Sequence, residues 1–300
     1  MKHIMTGKVK EVYQVDNDTL EFAYTDKISV FDKMIPSQIP HKGETLCRTA
    51  KYWFDILSAN GINNHYIDEP SKDRMRVKRV DIIKDYDSID GRTVNYLIPL
   101  EIICRHYVAG SLLDRVKAGK ITAEQLGFPA DHKVIYGEKL PRPFIEATTK
   151  LEEHDMNLTE AEAKKMAGLS DSEYKEIEDT VLKIDAIIEK DVSKRNLIHC
   201  DGKKEFGYDK DRKLMVLDTF GTLDEDRWWD AIEYAKGNIV ELSKEFVRQH
   251  YRETGYHKAL MEARENGAPE QDIPALPQDI IDRVSILYID MYERLTGEKF

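Results

Sequence analysis

The sequence is poor in cysteine and has no long apolar stretch. Its three cysteines, Cys47, Cys104 and Cys200, are far apart and include no Cys-x-x-Cys pair. This usage argues against a disulfide framework or a zinc ribbon and favours a reducing compartment with buried thiols. No apolar run approaches the roughly 20 residues of a membrane span, and the first residues lack the apolar segment of a signal peptide. We therefore expect a cytoplasmic protein with no membrane partner.

Positive charge is also in deficit. The 300 residues include 45 Lys and Arg against 56 Asp and Glu, which gives a net charge of −11. An acidic chain is a poor general ligand for nucleic acid, so no nucleic-acid partner is expected. The composition, 41% hydrophobic and 34% charged, is typical of a folded protein of one or two domains. Small anions can still bind where Lys and Arg cluster locally.

The first half of the chain contains strand and helix patterns. Alternating apolar residues predict a hairpin over 9–24, and a 3.6-residue apolar spacing predicts a helix over 44–60. The apolar run 97–105 predicts a buried strand, followed by a short helix over 112–117. Residues 119–158 are rich in Pro and Gly, and we interpret them as mostly loop.

The second half is richer in helices. Thr159 and Ser170 each precede a Glu by three residues, the capping-box pattern of a helix start. A hairpin is predicted over 197–218, and further helices near 230–236, 239–253 and 278–296. Strands early and helices late, without βαβ alternation, predict an α+β fold in two lobes. We place an N-terminal antiparallel-sheet lobe at 1–95 and a larger mixed lobe with the late helices at 96–300.

The first candidate site is the glycine-led basic turn Gly7-Lys8-Val9-Lys10. Glycine lets the backbone approach a phosphate, and a lysine can neutralise it. An ordinary hairpin turn with solvated lysines has the same sequence features. Taken alone, this turn favours the ordinary interpretation.

The second candidate site lies within 99–111, where Arg105 ends the apolar strand and Gly110-Ser111 begins a helix. A guanidinium beside a helix start with a hydroxyl can bind a phosphomonoester. A surface arginine and a helix-capping serine would look the same, and the residues favour neither interpretation.

The third candidate site is the 201–218 hairpin. Asp201, Lys203 and Glu205 alternate and so share one strand face, while Asp218 lies across the turn. Glu205 and Asp218 could hold Mg²⁺ through oxygen ligands, and Lys203 could orient a phosphoryl group or a carboxylate. The alternative is the charged, solvated face of a hairpin.

In this order and spacing, the three segments together resemble the SAICAR synthase family of purine biosynthesis. The resemblance covers nearly the whole chain and is closer to the longer, yeast-like form. Further similar segments are 25–32, 39–43, 149–155, 276–280 and 295–297.

The resemblance implies an ATP-dependent ligase. Such an enzyme joins L-aspartate to the carboxylate of carboxyaminoimidazole ribonucleotide through an acyl phosphate, and it yields the succinocarboxamide ribonucleotide. The implied ligands are ATP, Mg²⁺ and the two small-molecule substrates, with the nucleotide in a cleft between an ATP-binding lobe at 1–95 and a substrate- and metal-binding lobe at 96–300. A monomer and a homo-oligomer both remain open.

The resemblance also implies a role for each site residue. Gly7, Lys8 and Lys10 bind ATP, and Glu205 and Asp218 bind the metal. The ribonucleotide phosphate is bound by Arg105, Ser111 and Arg227. Lys203 serves the reacting carboxylate, so that the catalytic set is Lys203, Glu205 and Asp218. His154 and Asp155 lie near the nucleotide substrate or aspartate.

One segment departs from the family pattern. Glu225 and Asp226 stand where two small residues are expected, directly before Arg227; Thr219 and Leu223 replace a Glu and a Pro. Carboxylates beside a bound phosphate would repel it. We therefore expect both to turn outward or to pair with Arg or Lys, so that Arg227 alone faces the site.

Two other functions stay open. The altered 219–226 segment could belong to a related ATP-dependent ligase or phosphotransferase with a different acceptor. A non-catalytic nucleotide-binding protein is the third possibility, although it would not need Lys10, Glu205 and Asp218 together.

Overall fold

The computed structural model describes residues 1–152 and 156–300. Its strands, in chain order, are β1 (Lys2–Thr6), β2 (Lys10–Gln14), β3 (Thr19–Tyr24), β4 (Lys27–Val30), β5 (Lys33–Gln38), β6 (Tyr66–Ser71), β7 (Arg74–Lys78), β8 (Tyr96–Tyr107), β9 (Lys139–Thr149), β10 (Asn157–Leu158), β11 (Leu197–Tyr208), β12 (Leu214–Leu217) and β13 (Asp226–Asp230). Its helices are α1 (Lys42–Ala59), α2 (Leu112–Lys117), α3 (Glu160–Met166), α4 (Asp171–Val192), α5 (Ala231–Ala235), α6 (Glu245–Glu253), α7 (Tyr256–Glu265) and α8 (Gln278–Thr296). Within the described chain, no helix is both long and apolar enough to cross a membrane.

The chain forms two compact units that are not simple halves of the sequence. The first unit combines Met1–Tyr52, Tyr66–Lys78 and Glu241–Phe300, and the second combines Trp53–His65 and Arg79–Val240. The late helices α6, α7 and α8 therefore belong to the first unit. The division of ligand-binding roles at residue 95 stays a prediction.

The first unit is built on an antiparallel sheet with the order β1-β2-β3-β7-β6. The predicted hairpin is present as β2 and β3, with Lys10 opposite Tyr24. Strand β1 extends the sheet beyond this hairpin and was not predicted. All five of its residues are exposed, so it lacks the alternation of apolar and polar residues that signals a half-buried strand.

The second unit is built on a longer sheet with the order β10-β9-β8-β11-β12, and β13 also pairs with β11. Central strands β8 and β11 are buried along most of their length, as expected for strands covered on both faces. Helix α4 has a buried apolar stripe that includes Ile177, Val181 and Ile184. The predicted capping boxes are both present, at Thr159 for α3 and at Ser170 for α4.

The interpretation of 119–158 as mostly loop is confirmed for 119–138, but it misses a strand. Strand β9 occupies Lys139–Thr149 and pairs with β8. Pro141 and Pro143 suggested a loop, but they lie in the exposed first half of the strand, where a missing N–H is tolerated. Strand β13 and helix α7 were also not predicted.

Candidate active site

The residues of the third predicted site share one face of the second unit's sheet. Strand β11 pairs with β8, so that Asp201 lies opposite Arg105 and Glu205 opposite Glu101. Side chains directly opposite each other in an antiparallel pair lie on the same face. This face, which we call the charged face, therefore carries Lys203 and these four residues. The predicted alternation of Asp201, Lys203 and Glu205 is confirmed.

Carboxylates and ammonium groups alternate at one end of the charged face. The Lys150 ammonium lies 3.1 Å from Glu101 Oε1 and also contacts Glu205 Oε1. Lys203 Nζ lies 3.0 Å from the same Glu101 oxygen. Burial and the nearby Asp218 raise the pKa of Glu205 to about 7, although Lys150 opposes the shift. The carboxylates at this end are thus crowded, and a further cation would relieve their repulsion.

Asp218 follows strand β12 directly. In the β11–β12 register Glu205 lies opposite Leu217, which places Asp218 one residue beyond it. Asp218 adopts a left-handed backbone with φ of +53°, and its Oδ1 accepts a hydrogen bond from the Thr219 N–H at 2.7 Å. Aspartate adopts this conformation more readily than most residues, because its short side chain can hydrogen-bond the local backbone. Sharing of one cation by Glu205 and Asp218 stays a prediction.

Guanidinium groups gather at the other end of the charged face. Arg105 donates to Glu146 through Nε and to Asp201 through Nη1, both at 2.8 Å. Arg227 donates to the same Asp201 oxygen at 2.5 Å, and Arg115 donates to Glu146 at 2.6 Å. Asp201 therefore joins the two arginines, Arg105 and Arg227, that the family resemblance assigns to one phosphate.

The predicted glycine–serine pair adjoins this arginine cluster. Gly110 has φ of +57°, and a Cβ at this position would lie 2.8 Å from Nη2 of Arg227. The guanidinium of Arg227 thus packs against the Gly110 backbone. Ser111 follows as the residue before α2, as predicted. The structure brings Arg105, Arg227 and the Gly110–Ser111 turn into one region.

The two unexpected carboxylates of the 219–226 segment both pair with lysine. Glu225 Oε2 lies 3.3 Å from Lys203 Nζ. Asp226 lies 3.7 Å from Lys204 Nζ and is buried on the opposite face of the sheet. The predicted pairing with Arg or Lys is confirmed, whereas the expectation that Arg227 alone faces the site is wrong, because Glu225 pairs with Lys203 of the charged face. Of the two alternatives, Asp226 takes the pairing and not an outward direction, because β13 begins at this residue and its side chain lies opposite Gly202, on the face of the sheet away from the charged face.

Some charged residues of this region were not assigned a role from the sequence. Glu101 lies inside the apolar run of β8. A charged residue within an apolar strand is buried and needs a charged partner, and this was the signal in the sequence. Glu146 lies in β9 and Lys150 directly follows it, and this strand was not predicted. The sequence around Arg115 has no pattern that indicates a role for this residue. His154 and Asp155 lie outside the described residues.

The first predicted site forms a turn in the first unit. The Gly7 N–H donates to the Lys10 carbonyl at 2.8 Å, which closes the turn between β1 and β2. A cavity of about 630 Å³ opens beside it, with Gly7, Lys8, Lys27 and the β5 segment around Pro36 in its lining. Lys8 pairs with Asp32 at 2.9 Å, and the Lys10 ammonium lies 4.5 Å from the centre of the Phe22 ring.

The profile of the family described as SAICAR synthetase matches residues 3–263. The chain belongs to the SAICAR synthetase family. The phosphoribosylaminoimidazole-succinocarboxamide synthase of Thermoplasma acidophilum is 52% identical over all 300 residues of both chains. The Saccharomyces cerevisiae protein of the same name is 31% identical over 99% of this chain and 95% of its own.

Solved structures of the SAICAR synthetase family share the fold. The Saccharomyces cerevisiae SAICAR synthase complexed with SAICAR has a TM-score of 0.75 and 26% identity, covering 99% of this chain and 95% of that chain. A SAICAR synthetase in complex with ADP has a TM-score of 0.71 and 26% identity, covering 99% and 98%. The α+β fold and the family resemblance are thereby confirmed.

Proposed function

We propose that this chain joins L-aspartate to carboxyaminoimidazole ribonucleotide at the expense of ATP and forms the succinocarboxamide ribonucleotide of purine biosynthesis. Membership of the SAICAR synthetase family makes it a ligase. Its relatives bind ADP and SAICAR, according to the solved complexes. The observation that carries the proposal is the charged face, which has a carboxylate–lysine end and an arginine end on the same sheet. We place the reaction in the cytoplasm, with free, buried cysteines in support.

We assign ATP to the Gly7–Lys10 turn and its cavity. The cavity lining combines lysine ammonium groups with apolar side chains such as Met34 and Ile35. This combination suits a nucleotide, whose base is apolar on its faces and whose phosphates are anionic. Lys8 would leave Asp32 when a phosphate binds, because this exposed ion pair contributes little on its own. Lys10 is the second lysine of the proposed phosphate contact.

We assign Mg²⁺ to Glu205 and Asp218. Glu205 is only 6% exposed, and its raised pKa reflects burial together with the Asp218 charge. A divalent cation prefers such oxygen ligands. Bound there, Mg²⁺ would neutralise charge on the ATP phosphates during transfer. The donor set of the structure therefore fits the metal that the family resemblance implies.

Lys203 is proposed to hold the carboxylate that reacts. Glu225 raises its pKa, and Glu101 adds to the effect against the opposing influence of burial, so the ammonium stays charged. A substrate carboxylate oxygen then attacks the γ-phosphorus of ATP, and the bond to ADP breaks. The aspartate amine attacks the resulting acyl phosphate; phosphate leaves and the amine loses a proton.

His154 or Asp155 is our proposal for a contact to aspartate or the nucleotide substrate.

We assign the ribonucleotide phosphate to Arg105, Ser111 and Arg227. Arg105 is 7% exposed and holds a fixed direction through Glu146 and Asp201. A rigid guanidinium fork matches the oxygens of a phosphate. Arg227 supplies a second guanidinium next to the Gly110–Ser111 turn. Charge at this end is balanced by buried carboxylates, which keeps the arginines in place before the phosphate binds.

The decisive experiment is a substrate panel. The purified chain is assayed for ADP release with ATP and Mg²⁺, with and without the ribonucleotide and L-aspartate. Release that requires both, with formation of the succinocarboxamide product, is the expected result. ATP binding without turnover of any substrate would instead support a nucleotide-binding protein.

One observation favours a second candidate, a family member with a different acceptor. Glu225 shares Lys203 with Glu101, and both compete with a substrate carboxylate for the ammonium. Replacing the ribonucleotide by other carboxylates in the same assay tests this. Faster ADP release and product formation with another carboxylate would identify the different acceptor.

A further inference from the structure

A second cluster of charges lies on the opposite face of the sheet from the charged face. Its members, which we call the buried network, are Asp185 of α4, His199 and Lys204 of β11, and Asp226 of β13. Their side chains are fully buried. The Lys204 ammonium contacts Asp185 Oδ1 and lies 3.7 Å from Asp226 Oδ2, which is also 2.6 Å from His199 Nε2.

Asp226 enters this network because Gly202 leaves space for it. In the β11–β13 register Gly202 lies opposite Asp226, and a Cβ on Gly202 would overlap the Asp226 carboxylate. The second carboxylate oxygen, Oδ1, accepts the Gly221 N–H at 2.8 Å. One side chain thus fixes the start of β13 to the sheet and closes the 221–226 loop.

The direction of Arg227 follows from the anchoring of Asp226. Successive side chains of a strand point to opposite faces. Asp226 is fixed on the face opposite the charged face. Arg227 therefore points to the charged face, where it donates a hydrogen bond to Asp201 and packs on Gly110. The two neighbouring residues therefore connect the buried network to the proposed phosphate site.

The charges of the buried network must stay paired. Burial would lower the pKa of Lys204, but Asp185 and Asp226 raise it, so the ammonium remains charged. Removing one partner of a buried ion pair leaves an uncompensated charge, which is strongly unfavourable. Asp185 is the nearer partner of Lys204, and Asp226 supplies a second carboxylate at 3.7 Å. An apolar residue at 226 would leave the Gly221 N–H and His199 without this acceptor.

We propose that Asp226 is a positioning residue, whose carboxylate, held by His199, Lys204 and the Gly221 N–H, directs Arg227 to the phosphate of the ribonucleotide. The proposal rests on the proposed function. It explains the departure from the family pattern, since an acidic residue at 226 takes a place in the buried network and adds no charge to the phosphate site.

The test compares Asp226→Ala and Asp226→Asn with the control Val181→Ala. Val181 is buried on α4, the helix of Asp185, so its truncation destabilises the same region without touching a charge. Binding of SAICAR and of ADP is measured by calorimetry, together with the melting temperature. Asparagine keeps the acceptor for Gly221 and can still hydrogen-bond His199, so it serves as the conservative rescue.

We expect Asp226→Ala to weaken SAICAR binding about thirtyfold, close to 2 kcal/mol, and Asp226→Asn only about threefold. ADP binding should stay within about twofold in both, and in turnover the KM for the ribonucleotide should rise more than kcat falls. Val181→Ala should bind both ligands as the wild type does, despite a lower melting temperature.

Unchanged SAICAR binding by a folded Asp226→Ala variant overturns the positioning role. If this variant does not fold, Asp226→Asn decides: equal weakening of SAICAR and ADP, or of neither, contradicts the proposal. A wild-type chain that binds ADP but not SAICAR overturns the proposed function and the positioning role together.

Discussion

Lys203 and Glu225 form an ion pair, with Nζ and Oε2 3.3 Å apart. Glu225 stands where the family pattern has a small residue, so this pair is a feature of the altered segment. Among the influences on Lys203, Glu225 raises the pKa most. A substrate carboxylate must therefore share the Lys203 ammonium with Glu225 or displace it.

The first prediction is that Glu225→Gln strengthens binding of the ribonucleotide. Removing one negative charge from the neighbourhood of an anionic substrate should lower its KM about threefold, a modest change because the pair is partly solvated. Lys203 keeps Glu101 as a partner and stays charged. Steady-state kinetics at low salt measure the change, and 0.5 M salt should reduce it. A higher KM would mean that Glu225 contacts the substrate productively.

Asp218→Asn is expected to remove most of the ligation activity. The amide keeps an oxygen but loses the charge that a divalent cation requires, so kcat should fall at least about a hundredfold. The rate at increasing Mg²⁺ concentration is measured by ADP release. Asp211→Asn, in the exposed turn of the same hairpin, is the matched control and should retain full activity. Near-normal turnover of Asp218→Asn at low Mg²⁺ would refute the metal assignment.

Arg105→Lys should weaken ribonucleotide binding more than retention of charge suggests. Lysine cannot bond Glu146 and Asp201 with the fixed fork of Arg105, so both buried carboxylates lose a partner. We expect about tenfold weaker SAICAR binding and a loss of about 2 kcal/mol in unfolding free energy, with ADP binding unchanged. Exposed Arg92→Lys is the control. A selective loss of ADP binding would show that Arg105 binds ATP and that its assignment to the ribonucleotide phosphate is wrong.

Much of the fold is predictable from local patterns. Helices α1 and α2 begin and end close to the predicted positions, and α4 begins where predicted, because each has a periodic apolar face or a capping residue. Strand β9 was missed because its two prolines are typical of a loop. Its position is set by pairing with β8, which is distant in the sequence. A strand of this kind is stabilised by its neighbours more than by its own sequence.

The candidate site was predictable where residues alternate within one strand. Asp201, Lys203 and Glu205 share a face because the period of a strand is two. The partners that complete the site, Glu146 and Lys150, lie in and directly after β9, which was not predicted. The inward direction of Asp226 depends on the empty space at Gly202 across the sheet, which no local pattern encodes.

The pH dependence of metal binding follows from Glu205. Burial and Asp218 raise its pKa from 4.5 to about 7, so the folded protein favours the protonated form. Without metal, the stability that this group contributes is complete below its unfolded pKa and is lost as pH rises through about 7. Mg²⁺ requires the ionised form, so its stabilising effect should show the opposite trend.

Melting temperatures with and without Mg²⁺ at pH 6 and pH 8 test this behaviour. The increase caused by Mg²⁺ should be larger at pH 8, and Glu205→Gln should abolish the difference between the two pH values. An Mg²⁺ effect independent of pH would show that Glu205 is ionised throughout this range.

The last prediction concerns the glycine beneath Arg227. Gly110 and Gly119 both have left-handed backbones, with φ of +57° and +71°. A methyl group at 110 would press on the Arg227 guanidinium, whereas at 119 it would meet open space. Each alanine variant should lose about 1–2 kcal/mol of stability from backbone strain alone. Only Gly110→Ala should also raise the KM for the ribonucleotide, by about tenfold, because it displaces a proposed phosphate ligand. Equal KM values for the two variants, at equal loss of stability, would show that the position of Arg227 does not determine ribonucleotide binding.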